Sequence, residues 1–287
     1  MIFSALTFRA FNVLFPDEDA ARAWFERARW LKTIRRWECT ACHRQLSVTA
    51  GTPMHRTHLP LLTWAQAIYL IVASSKGISA VKLSEMLGVS YETAWHLGHR
   101  IRAMMAEQNT LLSGIDETYA GAPPRKRVKP EREDDGHDPP SPNPKGRGNK
   151  RPLLLIAAER GGDVVAKVIP THDTAAVAEA LDSVQPAYKH LCAERTHLNH
   201  SQREYVRTDT ATGHRIHVNR IESFSGFLGR AVVGVFHFVS PKHLGRYAGE
   251  AAFRWNRKAD ACLEHMALLV RNGVGRTLPY GFLKEAA

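Results

Sequence analysis

The chain is short of cysteine, of acid and of long apolar runs. Its 4 cysteines in 287 residues are too few for a disulfide framework. Two of them form Cys39-Thr40-Ala41-Cys42, a spacing that suits a metal knuckle in a reducing compartment. No stretch of about eighteen uncharged apolar residues occurs, which excludes an obvious membrane span. The longest candidate, 65–73, is too short, and no membrane partner is expected. The opening Met1-Ile2-Phe3-Ser4-Ala5-Leu6 lacks a charged start and runs into Arg9 and Asp17-Glu18-Asp19, which argues against a secretory signal and for a cytoplasmic location. Only 28 Asp and Glu stand against 39 Lys and Arg, a net charge of +11 with a pI near 9.7. That surplus favours a polyanionic partner, nucleic acid first, although an ordinary basic enzyme shows the same balance.

With 44% hydrophobic and 23% charged residues, the chain has enough apolar side chains to bury a core. Its length suits one sizeable catalytic core with smaller appended elements. Residues 15–30 read as a helix entered at Pro16, with Ala20, Ala23, Trp24 and Ala28 as its buried stripe. From Trp37 to Thr57 the Cys pair, Gly51, Pro53 and a β-like Gln45-Leu46-Ser47-Val48-Thr49 predict a small ribbon. An apolar helix follows from Thr63 to Ala73, then two helical patterns, Ser79 to Leu87 and Ser90 to Met105, separated by Gly88-Val89. Leu83, Leu87, Ala94, Leu97 and Ile101 recur at three and four residues and form a shared core, with Ser90 as N-cap. The remaining face carries Glu92, His96, His99, Arg100 and Arg102, which either meets a DNA groove or faces water.

Strands are predicted at 114–119, 153–158 and 164–169, with helices at 173–184, 219–233 and 241–256, an α/β pattern. Residues 122–152 hold eight of the 15 prolines and nine Lys or Arg, and read as a mobile basic loop. No internal repeat is found.

Alternation in the first strand puts Asp116 and Thr118 on one face and Ile115 and Glu117 on the other, so one of the two acids can enter a shared site. We take Asp116. In the helix after His217, the residues Ile221, Phe224, Leu228 and Val232 form the buried stripe, while Asn219, Glu222 and Gly226 share another face. A strand carboxylate and a helix carboxylate in a basic chain suit phosphodiester chemistry with bound Mg²⁺. Taken singly, each acid reads equally as a solvated strand-end or helix residue.

The order of these segments carries a resemblance. Cys39-Thr-Ala-Cys-His-Arg-Gln-Leu-Ser-Val-Thr-Ala-Gly-Thr52 is followed by Ser75-Lys-Gly-Ile-Ser79, Leu87-Gly-Val-Ser-Tyr-Glu-Thr-Ala-Trp95, His99-Arg-Ile-Arg102 and Ile115-Asp-Glu-Thr-Tyr119. Asn199-His-Ser201, Glu204-Tyr-Val206, His217-Val-Asn-Arg-Ile-Glu-Ser-Phe224, Val239-Ser-Pro-Lys-His-Leu244 and Phe253-Arg-Trp-Asn256 come after. Over nearly its whole length the chain resembles insertion-sequence transposases that join an N-terminal zinc ribbon and helix-turn-helix to an RNase H-like DDE domain.

The resemblance implies an α+β chain with an RNase H-like mixed sheet and flanking helices. Its divisions fall at 1–58 (helix and degenerate zinc-ribbon-like segment), 59–108 (helix-turn-helix) and 109–287 (catalytic domain). Asp116 becomes the first metal-binding acid and Glu222 the last, holding Mg²⁺ or Mn²⁺ for cleavage and strand transfer of element ends. Lys76, His99, Arg100 and Arg102 become DNA contacts, with double-stranded DNA and further copies of the chain as partners, at the nucleoid. The second acid is expected on a strand shortly before Gln185-Pro-Ala-Tyr-Lys-His-Leu191, where no Asp stands. Asp182 is nearest, but falls inside the helical pattern Val177, Ala180, Leu181; Asp163 and Asp209 lie further off.

The relatives' other Cys pair is absent from Trp30-Leu-Lys-Thr-Ile-Arg-Arg-Trp37, so Cys39 and Cys42 supply half of a zinc site. His55 and His58 do not complete a finger, because their spacing is one residue short and Gly51-Thr-Pro53 interrupts the helix. Cys192 and Cys262 read as buried small hydrophobes. The expectation is a transposase impaired in strand transfer. The competing readings are a non-catalytic DNA-binding remnant and a helix-turn-helix transcription regulator.

Overall fold

The computed structural model describes residues 6–30, 47–105, 114–119, 152–158, 163–170, 179, 206–208, 215–217 and 219–284. The chain forms two compact units, Met1–Gln108 with Arg246–Ala287, and Asn109–Gly245. Residues from Arg246 onward group with the N-terminal helices.

The first unit is helical. Helix α1 (Phe8–Leu14) was not expected, and α2 (Glu18–Arg29) starts three residues later than the sequence suggested, since Asp17 rather than Pro16 marks its entry by capping Ala20 N–H. Its buried stripe is accordingly Ala21, Phe25 and Ala28, at spacings of four and three. Helix α3 (Leu61–Ala73) has no side-chain cap of its own; the Glu18 carboxylate accepts from Leu61 N–H and Leu62 N–H, both at 2.8 Å. That places an acid where the helix dipole favours one. Residues 47–56 form turns rather than the expected ribbon strand, held by Arg29, which donates to the carbonyls of Ser47, Val48 and Ala50.

Helices α4 (Ala80–Leu87) and α5 (Tyr91–Met104) follow the sequence reading closely. Ser79 and Ser90 cap their first turns, and Gly88 ends α4 at φ +65°, a conformation that costs a side-chain-bearing residue more than glycine. In this unit the C-terminal helices α7 (Pro241–Asn256, from Arg246) and α8 (Cys262–Asn272) complete the core: Phe253, Met266, Leu269 and Val270 join Phe11, Phe25, Trp64, Ile68, Leu83, Leu97 and Ile101. Two arginines finish helices from a distance. Arg254 donates to the carbonyls of Ile71 and Ser74 at the end of α3, and Arg276 to Ala103 at the end of α5. Gly273 sits where an added Cβ would meet Met104 Cγ at 3.2 Å and Pro53 Cδ at 3.3 Å. A short helix α9 (Tyr280–Lys284) follows.

The second unit contains an antiparallel sheet in the order β1 (Gly114–Tyr119), β2 (Leu153–Ala158), β3 (Val164–Ile169), at the bounds read from the sequence. Residues Leu153 through Ala157 are each at most 4% exposed. Since successive side chains alternate, this central strand is covered on both faces. A hairpin of β4 (Val206–Thr208) and β5 (Arg215–His217) had not been expected, and turns the start of the His217 run from helix to strand. Helix α6 (Asn219–Ala231) continues as a π-helical turn, Val232–Phe236. The architecture is α+β; every described strand pairing is antiparallel. The expected helix at 173–184, apart from helical Glu179, and the loop 122–151 lie outside the described residues.

Candidate carboxylate site and nucleic-acid face

The two acids singled out in the sequence fall on elements that pack together. Asp116 is in β1, paired with Ile156 of β2, and Glu117 is paired with Leu155. Helix α6, with Glu222 in its first turn, lies against both β1 and β2. The helix takes this seat because Ile221, Phe224 and Leu228 are each at most 2% exposed and face the sheet unit's core, with Val232 continuing the stripe. Glu222 and Asn219, on another face, are exposed. Each of the two acids is a carboxylate, the hard-oxygen type of group that Mg²⁺ and Mn²⁺ prefer.

Among the described residues no group of three or more His, Cys, Asp or Glu side chains is placed to hold a metal. Asp182 and Asp209 lie outside the described residues, as do Cys39, Cys42 and Cys192. Asp163 is half-buried immediately before β3. His55 and His58 are both exposed, in and just after the turn segment. Cys262 is half-buried at the start of α8, and burial pushes its thiol up to about 11, consistent with a packing role.

The four residues read as DNA contacts separate into two pairs. Lys76 is exposed in the link between α3 and α4, and Arg100 is half-buried on α5. His99 and Arg102, expected to face outward, are interior, at 0% and 5% exposure. The reason is the C-terminal helix α7. His99 stacks edge-on against Trp95 at 4.3 Å and Tyr247 at 5.6 Å, and the Arg102 guanidinium lies 4.2 Å from the centre of the Tyr247 ring. Arg102 also pairs with Glu250, which holds Arg254 on its other oxygen, each at 2.6 Å. Burial pushes the Glu250 carboxyl up, but the guanidinium groups of Arg102 and Arg254 outweigh it and hold it below the usual carboxylate range. Exposed on the α4–α5 pair instead are Lys82, ion-paired with the likewise exposed Glu85 at 3.0 Å, Tyr91 and Glu92. Sequence reading missed the Arg102–Glu250–Arg254 cluster, although Arg254 lies in the Phe253-Arg-Trp-Asn256 segment quoted above.

One family description matches the stretch that carries both acids. Residues 113–256, half of the chain, fit the ISXO2-like transposase domain. The chain therefore belongs to that family of insertion-sequence transposases. No curated protein and no solved structure matches it. Among the described residues no single helix is long and apolar enough to cross a membrane.

Proposed function

We propose that this protein is a DNA transposase that recognises the ends of its element through α4 and α5, read as a helix-turn-helix, and holds a divalent cation with Asp116 and Glu222 on an RNase H-like sheet. The observation that carries this reading is the seating of α6, which bears Glu222, on β1, which bears Asp116. When bound, Mg²⁺ or Mn²⁺ supplies the charge that activates water and then a DNA 3′-hydroxyl for in-line attack on phosphorus. The chain's own part is to hold the acids in place by burying the Ile221, Phe224, Leu228 stripe. Lys76 and Arg100 contact phosphates, while Tyr91 and Glu92 at the entry of α5 reach base edges. The protein acts at the nucleoid as a homo-oligomer on double-stranded DNA. Zinc has no assigned role, since Cys39 and Cys42 are two ligands where a structural site needs four.

Strand transfer by this copy is impaired, because no Asp precedes Gln185 at the position of the second acid and Asp182 lies in a helical pattern. The experiment is an end-cleavage and joining assay with purified protein, Mg²⁺ or Mn²⁺ and a duplex carrying the element's own ends. Salt-dependent binding to the ends with little or no joining is expected. Efficient joining that vanishes in both Asp116→Asn and Glu222→Gln overturns the impairment, and Asp182→Asn is then the next variant. Absence of binding to the ends overturns the transposase reading itself.

A further inference from the structure

The helix that bears Glu222 does not end in an ordinary cap. After Ala231 the winding widens to a π-helical turn over Val232–Phe236, and His237 then takes φ +57° and ψ −42°. This is a rare conformation for a residue with a side chain, and it is sharpened by Phe238 N–H donating to the Phe236 carbonyl at 2.6 Å. π-Turns and strained non-glycine residues gather at functional positions because the surrounding fold must hold them against their cost. The anchors here are Val232 and Val239, at 7% and 1% exposure. Between them the turn holds out two large apolar side chains, Val233 at 72% and Phe238 at 46%.

The sequence on either side of this turn carries charge of one sign: from Ser223 to Gly245 it contains no Asp or Glu, while Arg230, His237, Lys242 and His243 supply cationic or ionisable groups. Arg230 and His237 are exposed. An apolar tip on a rigid anchor, in an acid-free basic segment, matches a nucleotide: an aromatic face for a base and cations for the phosphates beside it.

We propose that the turn Val232–Phe236 and the following Phe238 form a DNA wedge, in which the Phe238 ring stacks on a base that has left its own stack. This rests on the reading of the chain as a DNA-acting transposase. At about 1.5 Å per residue, the tip lies roughly 20 Å along the helix from Glu222, about six base pairs of duplex. The wedge therefore meets DNA flanking the reacting phosphate rather than the phosphate itself.

The test is permanganate probing of the full-length protein on duplexes carrying the element's own ends, with thymine placed at each position in turn across the ten pairs beside the end. Binding is read separately by gel shift. One position is expected to react at least threefold faster with the wild-type protein. The enhancement is lost in Phe238→Ala, halved or more in Val233→Ser, and kept in Phe238→Trp. Melting temperatures separate this loss from misfolding, and all three variants at these exposed sites are expected to melt with the wild type. Equal enhancement by Phe238→Ala, or no reactive position in a duplex that the wild type binds, overturns the wedge and leaves the transposase reading standing. No gel shift by the wild type overturns both.

Discussion

Arg102 donates from Nε to Glu250 at 2.6 Å, and the two side chains are 4% and 2% exposed. Arg254 closes the same carboxylate from its other side at 2.6 Å and spends its remaining donors on the end of α3. A charge so deeply buried is tolerated because its partners and hydrogen bonds are complete, and removing one partner leaves the others uncompensated. Glu250→Gln and Arg102→Ala are each expected to lower unfolding free energy by about 3–5 kcal/mol. Arg100→Ala, one turn face away and half-buried, is expected to change stability by about 0.5 kcal/mol and to weaken DNA binding with a shallower salt slope. Urea unfolding and a DNA titration on the same variants separate the two roles. An Arg102→Ala protein as stable as wild type removes the cluster from the stability account.

Acid is expected to loosen this unit in two stages. Burial lowers the His265 pKa below its ordinary 6.5, only partly offset by Asp260 at 3.7 Å. The unfolded chain therefore takes up this proton first, and the stability it contributes above 6.5 is lost as pH falls through the folded value. Glu250, whose folded pKa is also lowered, adds a second loss below the ordinary carboxylate range. Urea midpoints measured from pH 8 to pH 4 for wild type and His265→Gln are expected to converge as the pH drops below 6.5. A constant gap between the two curves contradicts the assignment.

The turn between α4 and α5 depends on one backbone conformation. At Gly88 an added Cβ meets nothing within 4 Å, so its φ of +65° alone sets the cost of a side chain. Gly88→Ala is expected to destabilise by about 1 kcal/mol, and Ser90→Ala by about the same through the lost cap. Thermal unfolding checks both. A Gly88→Ala protein of unchanged or raised stability shows that the turn does not need the left-handed conformation.

Local patterns in the sequence were sufficient for β1, β2, β3 and the α6 stripe. The strands combine an apolar run or alternation with clear breaks, and Ile221, Phe224, Leu228 and Val232 keep helical spacing. Gly88, Ser79 and Ser90 likewise carry turn and cap chemistry in their own side chains or lack of one. The burial of His99 and Arg102 was not legible, because Glu250 stands 148 positions beyond Arg102 and no periodicity within α5 reports it. Arg254 was missed for the same reason, since it finishes a helix 180 positions away. The hairpin β4–β5 escaped because each strand has only three residues. The expected helix 219–233 stops inside the π-turn, and nothing in Val232 to Phe236 foretells the wider winding.

The central claim is that Asp116 and Glu222 share a cation, and manganese binding tests it without requiring turnover. Electron paramagnetic resonance of Mn²⁺ titrated into the full-length protein, wild type against Asp116→Asn and Glu222→Gln, measures free and bound ion directly. The account predicts binding that weakens at least tenfold in each variant, with the double variant no worse than the weaker single one. Equal Mn²⁺ binding by the wild type and both single variants contradicts it.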